Sequence, residues 1–249
     1  MVHMRNLSAK PLQFLSPRLG TGCVLLLACL LAPVQGASAD NPPEGMVLVP
    51  AGSFAMGSPV SPDETPHTVR LPAFYIDRTE VSQKAFREAM GRNPSSFKGE
   101  NLPVEQVTWY EARDYCKKTG KRLPTEAEWE RAARGGTSSS FYWGDEIDGA
   151  HAWYWDNSNR TTHPVGEKQP NGFGLFDMSG NVWEWVADHY DDSYYETSPP
   201  ENPAGPFSGK YRVIRGGSWR DFAEFLRVSR RNYDLPSGRF NHIGFRCAR

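Results

Sequence analysis

The residues best suited to chemistry in this sequence lie in one stretch, NGFGLFDMSGNVWEW, at positions 171–185. Two carboxylates, Asp177 and Glu184, flank the turn-forming pair Ser179-Gly180. Carboxylate oxygens and the backbone carbonyls of a turn are the ligands that a hard cation such as calcium prefers. A cation site is therefore one interpretation of this stretch.

A purely structural interpretation fits the same residues. Trp183 and Trp185 are two positions apart, so on an extended backbone both side chains point to the same face. They would then belong to the core, and Ser179-Gly180 would be the tight turn that enters the strand. Composition alone favours this interpretation over a cation site.

The composition limits the classes of fold and partner. Among 249 residues, 28 are Lys or Arg and 29 are Asp or Glu, and this balance argues against nucleic acid or an anionic membrane surface as the main partner. The 23 glycines and 20 prolines favour a loop-rich α+β or β architecture over a helical bundle. All eight tryptophans lie between Trp109 and Trp219, which indicates a single aromatic-rich domain.

The first residues have the pattern of a secretory signal. Basic residues precede an apolar run at 23–32, which is far shorter than the ~20 residues of a membrane span, and small residues follow up to Ala39. We therefore predict a signal peptide over 1–39 with cleavage near Ala39, export to the periplasm or the medium, and a mature domain over 40–249. A lipid anchor on Cys29 is the alternative.

Cleavage at that point leaves two cysteines, Cys116 and Cys247. An even pair in an oxidising compartment suggests one disulfide. The bond would close a loop of 131 residues. Closing so long a loop is worth about 4–5 kcal/mol on the chain-entropy model.

Local patterns predict three helices. The first begins after Ser82 and ends at Gly91. Two further helices begin with capping-box spacings, Thr108 with Glu111 and Thr125 with Glu128, and end at Gly120 and Gly135. Strands are predicted at 46–50 and 53–57, which would form a hairpin, and at 68–70, 74–77, 211–215, 226–230 and 244–248.

The segment 136–170 has no regular pattern, and 187–210 is predicted to be a loop. Polar clusters in 136–170 stand among three tryptophans. They fit either a solvated loop pinned by aromatic side chains or a second cation site built on Asp156 or Asn157 with backbone carbonyls.

Several enzyme classes lack their signatures here. The sequence contains no glycine-rich nucleotide loop and no His-Glu-x-x-His zinc motif. Ser218 is not in a nucleophile elbow, because position 220 is arginine. Nucleotide cofactors, zinc hydrolysis and serine hydrolysis therefore have no support.

Seven ordered motifs nevertheless identify a family. They are MVLVPAGSFAMG at 46–57, FYIDRTEVS at 74–82, GKRLPTEAEWE at 120–130, NGFGL at 171–175, GNVWEW at 180–185, RGGSW at 215–219 and GFRC at 244–247. Together they resemble the formylglycine-generating enzyme, or sulfatase-modifying factor, family over 46–249. The resemblance implies a compact, loop-rich α+β fold that is related to C-type lectins and binds calcium.

The resemblance also assigns residues. It implies that one calcium is bound by Asp177 and Glu184 and by the carbonyls of Gly180 and Val182. It puts Asn157 and Asn159 on two ligand positions of a second calcium site, and it pairs Cys116 with Cys247.

The family's active site is altered in this sequence. Its sulfatase-activating members bind copper(I) through two cysteines, and the matching positions here are Asp221 and Leu226. Without thiolates the soft ligands for copper(I) are missing, so we do not expect copper(I) or the known route to formylglycine. Trp183 and Ser218 match residues that line the family's substrate groove, so the resemblance implies that a cleft persists.

Two functions remain open. The first is an exported oxidoreductase-type maturation factor for a peptide or peptide-derived substrate, since ergothioneine-forming sulfoxide synthases and a pyoverdine-maturation oxidase in this superfamily lack the copper cysteines. Asp221 and Glu224 would then be acid–base or metal groups, with His189 or His242. The second is a non-catalytic module that binds a peptide or glycan through aromatic residues, including Tyr194 and Tyr195.

Overall fold

The computed structural model describes Gln13 and residues 42–249, and its secondary structure consists of short elements. The strands are β1 Met46–Val49, β2 Gly52–Met56, β3 His67–Leu71, β4 Phe74–Asp77, β5 Trp183–His189, β6 Arg212–Arg215, β7 Arg231–Asp234 and β8 Ile243–Gly244. The helices are α1 Gln83–Met90, α2 Trp109–Lys118, α3 Glu126–Arg134 and α4 Tyr194–Thr197. The predicted loop-rich α+β class is thus confirmed. The predicted signal peptide and Cys29 lie outside the described residues.

The three predicted helices start where their caps predict. The Ser82 hydroxyl accepts a hydrogen bond from the backbone N–H of Ala85 at the start of α1. Thr108 and Thr125 each form a complete capping box at the start of α2 and α3. Local hydrogen bonding therefore determines these ends. The short helix α4, by contrast, lies in the segment predicted to be a loop.

The predicted hairpin of the first two strands is wrong. β1 pairs with β4 and β2 pairs with β3, both antiparallel. The connection between β1 and β2 is instead bound to α3, because the Arg131 side chain of α3 donates two hydrogen bonds to the carbonyl oxygen of Pro50. This contact joins residues far apart in sequence, which a local pattern does not reveal.

The largest sheet has the strand order β7-β6-β5-β8, with β5 antiparallel to β6 and parallel to β8. The strand predicted at 226–230 is wrong, since a turn of 3₁₀ helix occupies Ala223–Leu226 and the strand begins at Arg231. Leu226 and Val228 are both buried, so their alternation reflects core packing of an irregular segment. β6 places its last residue, Arg215, opposite Glu184 on β5.

Two large apolar clusters and a smaller third one form the core among the described residues. One large cluster surrounds Trp129 of α3, and the other contains Trp183 and Trp185 of β5. The Cys116–Cys247 disulfide is present and ties α2 to the segment after β8. Within the described part of the chain, no helix is both long and apolar enough to cross a bilayer.

Candidate active site

The turn after β6 directs the chain back onto the first residue of β5, Trp183. Gly216 and Gly217 have φ angles of 101° and 75°. A Cβ on Gly217 would lie 2.9 Å from the carbonyl oxygen of Phe225, so only glycine fits the second position. The backbone N–H of Gly180 donates to the Gly216 carbonyl at 2.8 Å and fixes the turn. Ser218 therefore emerges beside Trp183.

Asp221 is the centre of this site. Its Oδ2 accepts a hydrogen bond from the indole N–H of Trp183 at 2.8 Å. The same oxygen accepts a short hydrogen bond from the Ser218 hydroxyl. Burial raises the pKa of Asp221 although both hydrogen bonds favour its charged form. Three of the four predicted catalytic residues are thus in direct contact.

The fourth predicted catalytic residue lies apart from this group. Glu224 is exposed in the 3₁₀ turn, and within residues 42–249 its side chain makes no hydrogen bond or ion pair. The structure therefore does not bring Glu224 to Asp221.

Leu226 lies in the core beneath the same turn. It is fully buried and packs with Phe141, Ala152 and Tyr154. The Ser179 hydroxyl donates to its carbonyl oxygen at 2.9 Å. Position 226 therefore carries an apolar packing residue with no ligand atom.

Two exposed aromatic side chains form a rim next to Asp221. Trp155 and Phe222 are 40% and 53% exposed, and their rings are 5.6 Å apart. The backbone N–H of Trp155 donates to the Asp221 carbonyl at 3.0 Å, which positions the rim against the site. The Arg160 guanidinium lies 5.5 Å from the Trp155 ring. We call Trp155, Phe222 and Arg160 the aromatic rim.

The two predicted histidines occupy different places. The carbonyl oxygen of His242 accepts from the Trp183 backbone N–H at 2.9 Å. Burial and the nearby Arg220 guanidinium lower the pKa of His242 to about 4, so its imidazole is neutral at neutral pH. His189 ends β5, about 20 Å along the strand from Trp183, and is therefore remote from Asp221.

The predicted calcium ligands surround a group of buried acids. Asp177 has a φ of 56°, and its carboxylate accepts from the Gly166 backbone N–H at 2.7 Å. It interacts with the carboxyl group of Glu80, whose buried Oε2 accepts no hydrogen bond from an N–H group within residues 42–249. Burial and the charge of Asp177 raise the pKa of Glu80 well above its ordinary value. Two adjacent buried carboxyls of this kind hold a proton or a cation between them.

Glu184 is engaged by other partners. Arg246 donates to both of its carboxylate oxygens, and the Trp129 indole N–H donates to Oε2 at 2.8 Å. Gly180 is required for packing, because a Cβ there would lie 2.2 Å from the Trp153 carbonyl oxygen. Val182 is buried in the segment that leads into β5.

The second predicted calcium site involves Asn157 and Asn159. The Asn157 amide oxygen accepts from the Tyr154 N–H at 2.9 Å, and its amide group donates to the Ala152 carbonyl at 2.8 Å. Asn159 is exposed and has a φ of 54°. Asn157 therefore ties its loop together, and a cation at these two positions stays a prediction.

Comparison with known proteins places the chain in a family. Residues 32–249 match the family described as the sulfatase-modifying factor enzyme 1-like domain. The formylglycine-generating enzyme of Streptomyces coelicolor is 33% identical over 298 aligned positions, which cover 87% of this chain and 95% of that enzyme.

The chain belongs to the sulfatase-modifying factor family.

Two solved structures extend this similarity. Treponema denticola variable protein 1 is 34% identical with a TM-score of 0.77, over 82% of this chain and 94% of that one. PvdO from Pseudomonas aeruginosa is 35% identical with a TM-score of 0.73, over 82% of this chain and 93% of that one. The family resemblance read from the sequence motifs is thus confirmed.

The site does not fit the copper(I) of the family's sulfatase-activating members. Asp221 supplies hard oxygen atoms and Leu226 supplies no ligand, whereas copper(I) prefers thiolates. The two described cysteines are joined in the disulfide. No group of three or more His, Cys, Asp or Glu side chains in the described residues is arranged to hold a metal ion.

The buried acids offer a hard cation two carboxyl groups, which is fewer than a complete set of protein ligands. Glu80 and Asp177 supply adjacent carboxyl oxygens, one of which has no other partner. Glu184 would have to give up hydrogen bonds to Arg246 or Trp129 to bind a cation fully. Calcium therefore stays a prediction, for which the structure suggests Glu80 as a further ligand. A bound calcium would stabilise the fold by joining Glu80 to Asp177, which is distant from it in sequence.

Sequence reasoning missed Glu80, Trp155 and Phe222 as site residues. Trp155 was interpreted only as an anchor of its loop. The motif at 74–82 contains Glu80, but its contact with Asp177 spans nearly a hundred positions. No local pattern shows that the two residues meet.

Proposed function

We propose that this protein is an exported maturation factor that binds a peptide or peptide-derived substrate beside Asp221 and oxidises it without copper–cysteine chemistry. The observation that carries the proposal is the contact of Asp221 with Trp183 and Ser218. It puts a positioned carboxyl group where copper-binding family members have a cysteine. The signal-like pattern of residues 1–39 supports export.

The proposed role of Asp221 is proton transfer. Trp183 and Ser218 both donate to Oδ2, and the other oxygen, Oδ1, is assigned to the substrate in this proposal. A substrate oxidised by two electrons releases two protons, and dioxygen as the acceptor takes up both to form hydrogen peroxide. Burial raises the pKa of Asp221, which makes this carboxyl a better proton acceptor than an exposed aspartate and suits it to take one of these protons. Trp183 and Ser218 are positioning residues in this scheme.

The aromatic rim is the proposed binding surface for the substrate. Trp155 and Phe222 expose apolar rings on which a side chain or a peptide plane stacks. Arg160 adds a positive charge next to Trp155, which suits a carboxylate of the substrate. The rim lies against the backbone of Asp221, so a bound peptide would be held close to the carboxyl group.

The same rim supports a second candidate function, a non-catalytic module that binds a peptide or glycan. Exposed aromatic rings are the usual platform for both ligands. This alternative requires only the rim, whereas oxidation also requires Asp221. The two functions therefore respond differently to substitution at position 221.

The test measures dioxygen uptake and hydrogen peroxide release. Purified mature protein, with its native metal content recorded by mass spectrometry, is incubated with the peptide fraction of an exported-protein extract. We expect uptake that Asp221→Asn abolishes and that Glu224→Gln, an exposed carboxylate in the same turn, leaves unchanged. If the protein retains peptides through Trp155 and Phe222 but no fraction supports dioxygen uptake, the oxidation proposal is wrong and the binding function replaces it.

A further inference from the structure

A cleft lies near the opposite end of β5 from Trp183. Its volume is about 560 Å³, which is within the size range of small-molecule sites. It opens between α2, the segment joining α2 to α3, and β6. Its charged lining residues are Arg113, Lys117, Lys121, Arg122, Arg212 and Glu128. Five basic side chains thus face one carboxylate, in a chain whose net charge is only −1.

Two of the guanidinium groups are held against the same indole. Arg212 lies 3.8 Å and Arg113 lies 5.3 Å from the ring centroid of Trp109. The Trp109 N–H donates to the Val186 carbonyl at 2.7 Å, which fixes the ring. Arg113 also donates to the carboxylate of Asp114 at 2.8 and 2.9 Å, an exposed pair that an anion in the cleft would share or displace. Both cations are therefore oriented before any ligand arrives, which lowers the entropy cost of binding.

The charge of Arg212 is incompletely compensated. Its Nε is buried and has no hydrogen-bond acceptor within residues 42–249. Burial lowers the pKa of Arg212; the charge of Asp188 opposes this effect, and the charge of Arg113 adds to it more weakly. An anion bound between the two guanidinium groups would accept hydrogen bonds and reduce their repulsion.

The nearby acids are already occupied. Both oxygens of Glu128 accept hydrogen bonds from Arg122, at 2.6 and 2.7 Å. Lys121 is paired with Asp77 at 2.6 Å. The Lys117 ammonium group, in contrast, makes no hydrogen bond or ion pair within residues 42–249. Lys117 follows Arg113 by one helical turn, so both side chains project from the same face of α2.

We propose that this cleft binds a small ligand carrying at least two phosphate- or sulfate-type oxyanion groups. The planar fork of arginine pairs with two oxygens of such a group. Arg113 and Arg212 would take one group at Trp109, and Lys117 would take the second. The site does not share residues with Asp221 or the aromatic rim, so the proposal is independent of the proposed oxidation.

The test is calorimetric titration of the full mature protein with inorganic pyrophosphate. We expect one site per chain and affinity that falls as salt is raised. Lys117→Gln should weaken binding about tenfold, because a charge-assisted contact is lost. Lys118→Gln is the matched control, since Lys118 is equally exposed on α2 but does not line the cleft. Thermal melts confirm that both variants are folded.

Two results would overturn the proposal. One is the absence of pyrophosphate binding, and the other is equal weakening by Lys117→Gln and Lys118→Gln, which would indicate diffuse surface attraction. Sedimentation with vesicles of phosphatidylcholine, with or without cardiolipin, whose headgroup carries two phosphates, then distinguishes the source of the oxyanion. Lys117-dependent binding to the anionic vesicles identifies a lipid headgroup. Pyrophosphate binding without vesicle binding identifies a soluble ligand.

Discussion

The indole N–H of Trp183 donates to Oδ2 of Asp221 at 2.8 Å, and this contact joins the start of β5 to the turn that follows β6. The Ser218 hydroxyl donates to the same oxygen. A hydrogen bond to a carboxylate stabilises its charged form and lowers its pKa. The protonation state of the Asp221 carboxyl group therefore depends on Trp183.

Trp183→Phe is expected to raise the pKa of Asp221 further, because one of the two donors to Oδ2 is lost while burial remains. The measurement is NMR titration of the Asp221 carboxyl carbon. Trp155→Phe is the control, since the Trp155 side chain does not donate to Asp221. An unchanged Asp221 titration in Trp183→Phe would contradict the assigned contact.

The unmodified protein is expected not to convert cysteine to formylglycine in a peptide containing Cys-x-Pro-x-Arg. Asp221 is a poor ligand for copper(I), and Leu226 is a buried apolar residue. The measurement is peptide mass after incubation with copper and dioxygen, with the Streptomyces coelicolor enzyme as the positive control. Catalytic conversion would contradict this prediction. The double variant Asp221→Cys with Leu226→Cys then tests whether the cleft still accepts the peptide.

The helix starts and the family motifs were predictable from the sequence because each depends on residues close together. In α3, for example, the Thr125 side chain accepts a hydrogen bond from the Glu128 backbone N–H, and the Glu128 side chain accepts one from the Thr125 backbone N–H. Strand pairing was less predictable, because β1 pairs with β4 rather than with the neighbouring β2, and the turn after β1 is bound by Arg131 of α3, which is distant in sequence. Asp221 was found through a motif match, whereas Glu80 becomes visible only when the fold brings it to Asp177.

Asp188 is expected to make stability fall as pH rises. Burial, and next the charge of Glu126, raise its pKa to about 8, so the folded state keeps a proton that the unfolded state loses near pH 4. The free energy of unfolding therefore decreases between about pH 4 and pH 8, by at most about 1.4 kcal/mol per pH unit. Chemical denaturation across this range measures the slope.

Asp188→Asn should remove this contribution. An amide oxygen can still accept the hydrogen bond from the Glu126 backbone N–H, which is 2.8 Å long. The control is Asp192→Asn, at an exposed position nearby. A slope that is the same in Asp188→Asn and in the unmodified protein would refute the role of this carboxyl.

Glu130→Ala is expected to destabilise the domain by about 3–5 kcal/mol, because it leaves the buried cations Arg134 and Arg215 without their shared carboxylate. Equilibrium unfolding in urea measures the loss. Glu201→Ala removes an exposed partner of Arg70 and should have a much smaller effect. Similar losses in the two variants would show that burial of the ion pair is unimportant.

Removal of calcium by a chelator is expected to lower the melting temperature, and added calcium should restore it. Ligand at a hundredfold excess over its Kd contributes about 2.7 kcal/mol. Glu80→Gln should abolish the response, because it removes a buried carboxylate next to Asp177. Glu105→Gln, at a buried glutamate outside this group, should retain it. A full response in Glu80→Gln would place the ion elsewhere.

The contacts of residues 245–249 determine when the domain can complete its folding. Backbone carbonyls of Phe245, Cys247 and Arg249 accept hydrogen bonds from the N–H groups of Val81, Asp77 and Tyr75. These partners are synthesised about 170 residues earlier, so β4 stays incompletely paired until residue 249 has been made. Folding of β4 can therefore be completed only after residues 245–249 have been made, and a chain truncated before residue 245 would expose an unpaired strand edge prone to aggregation.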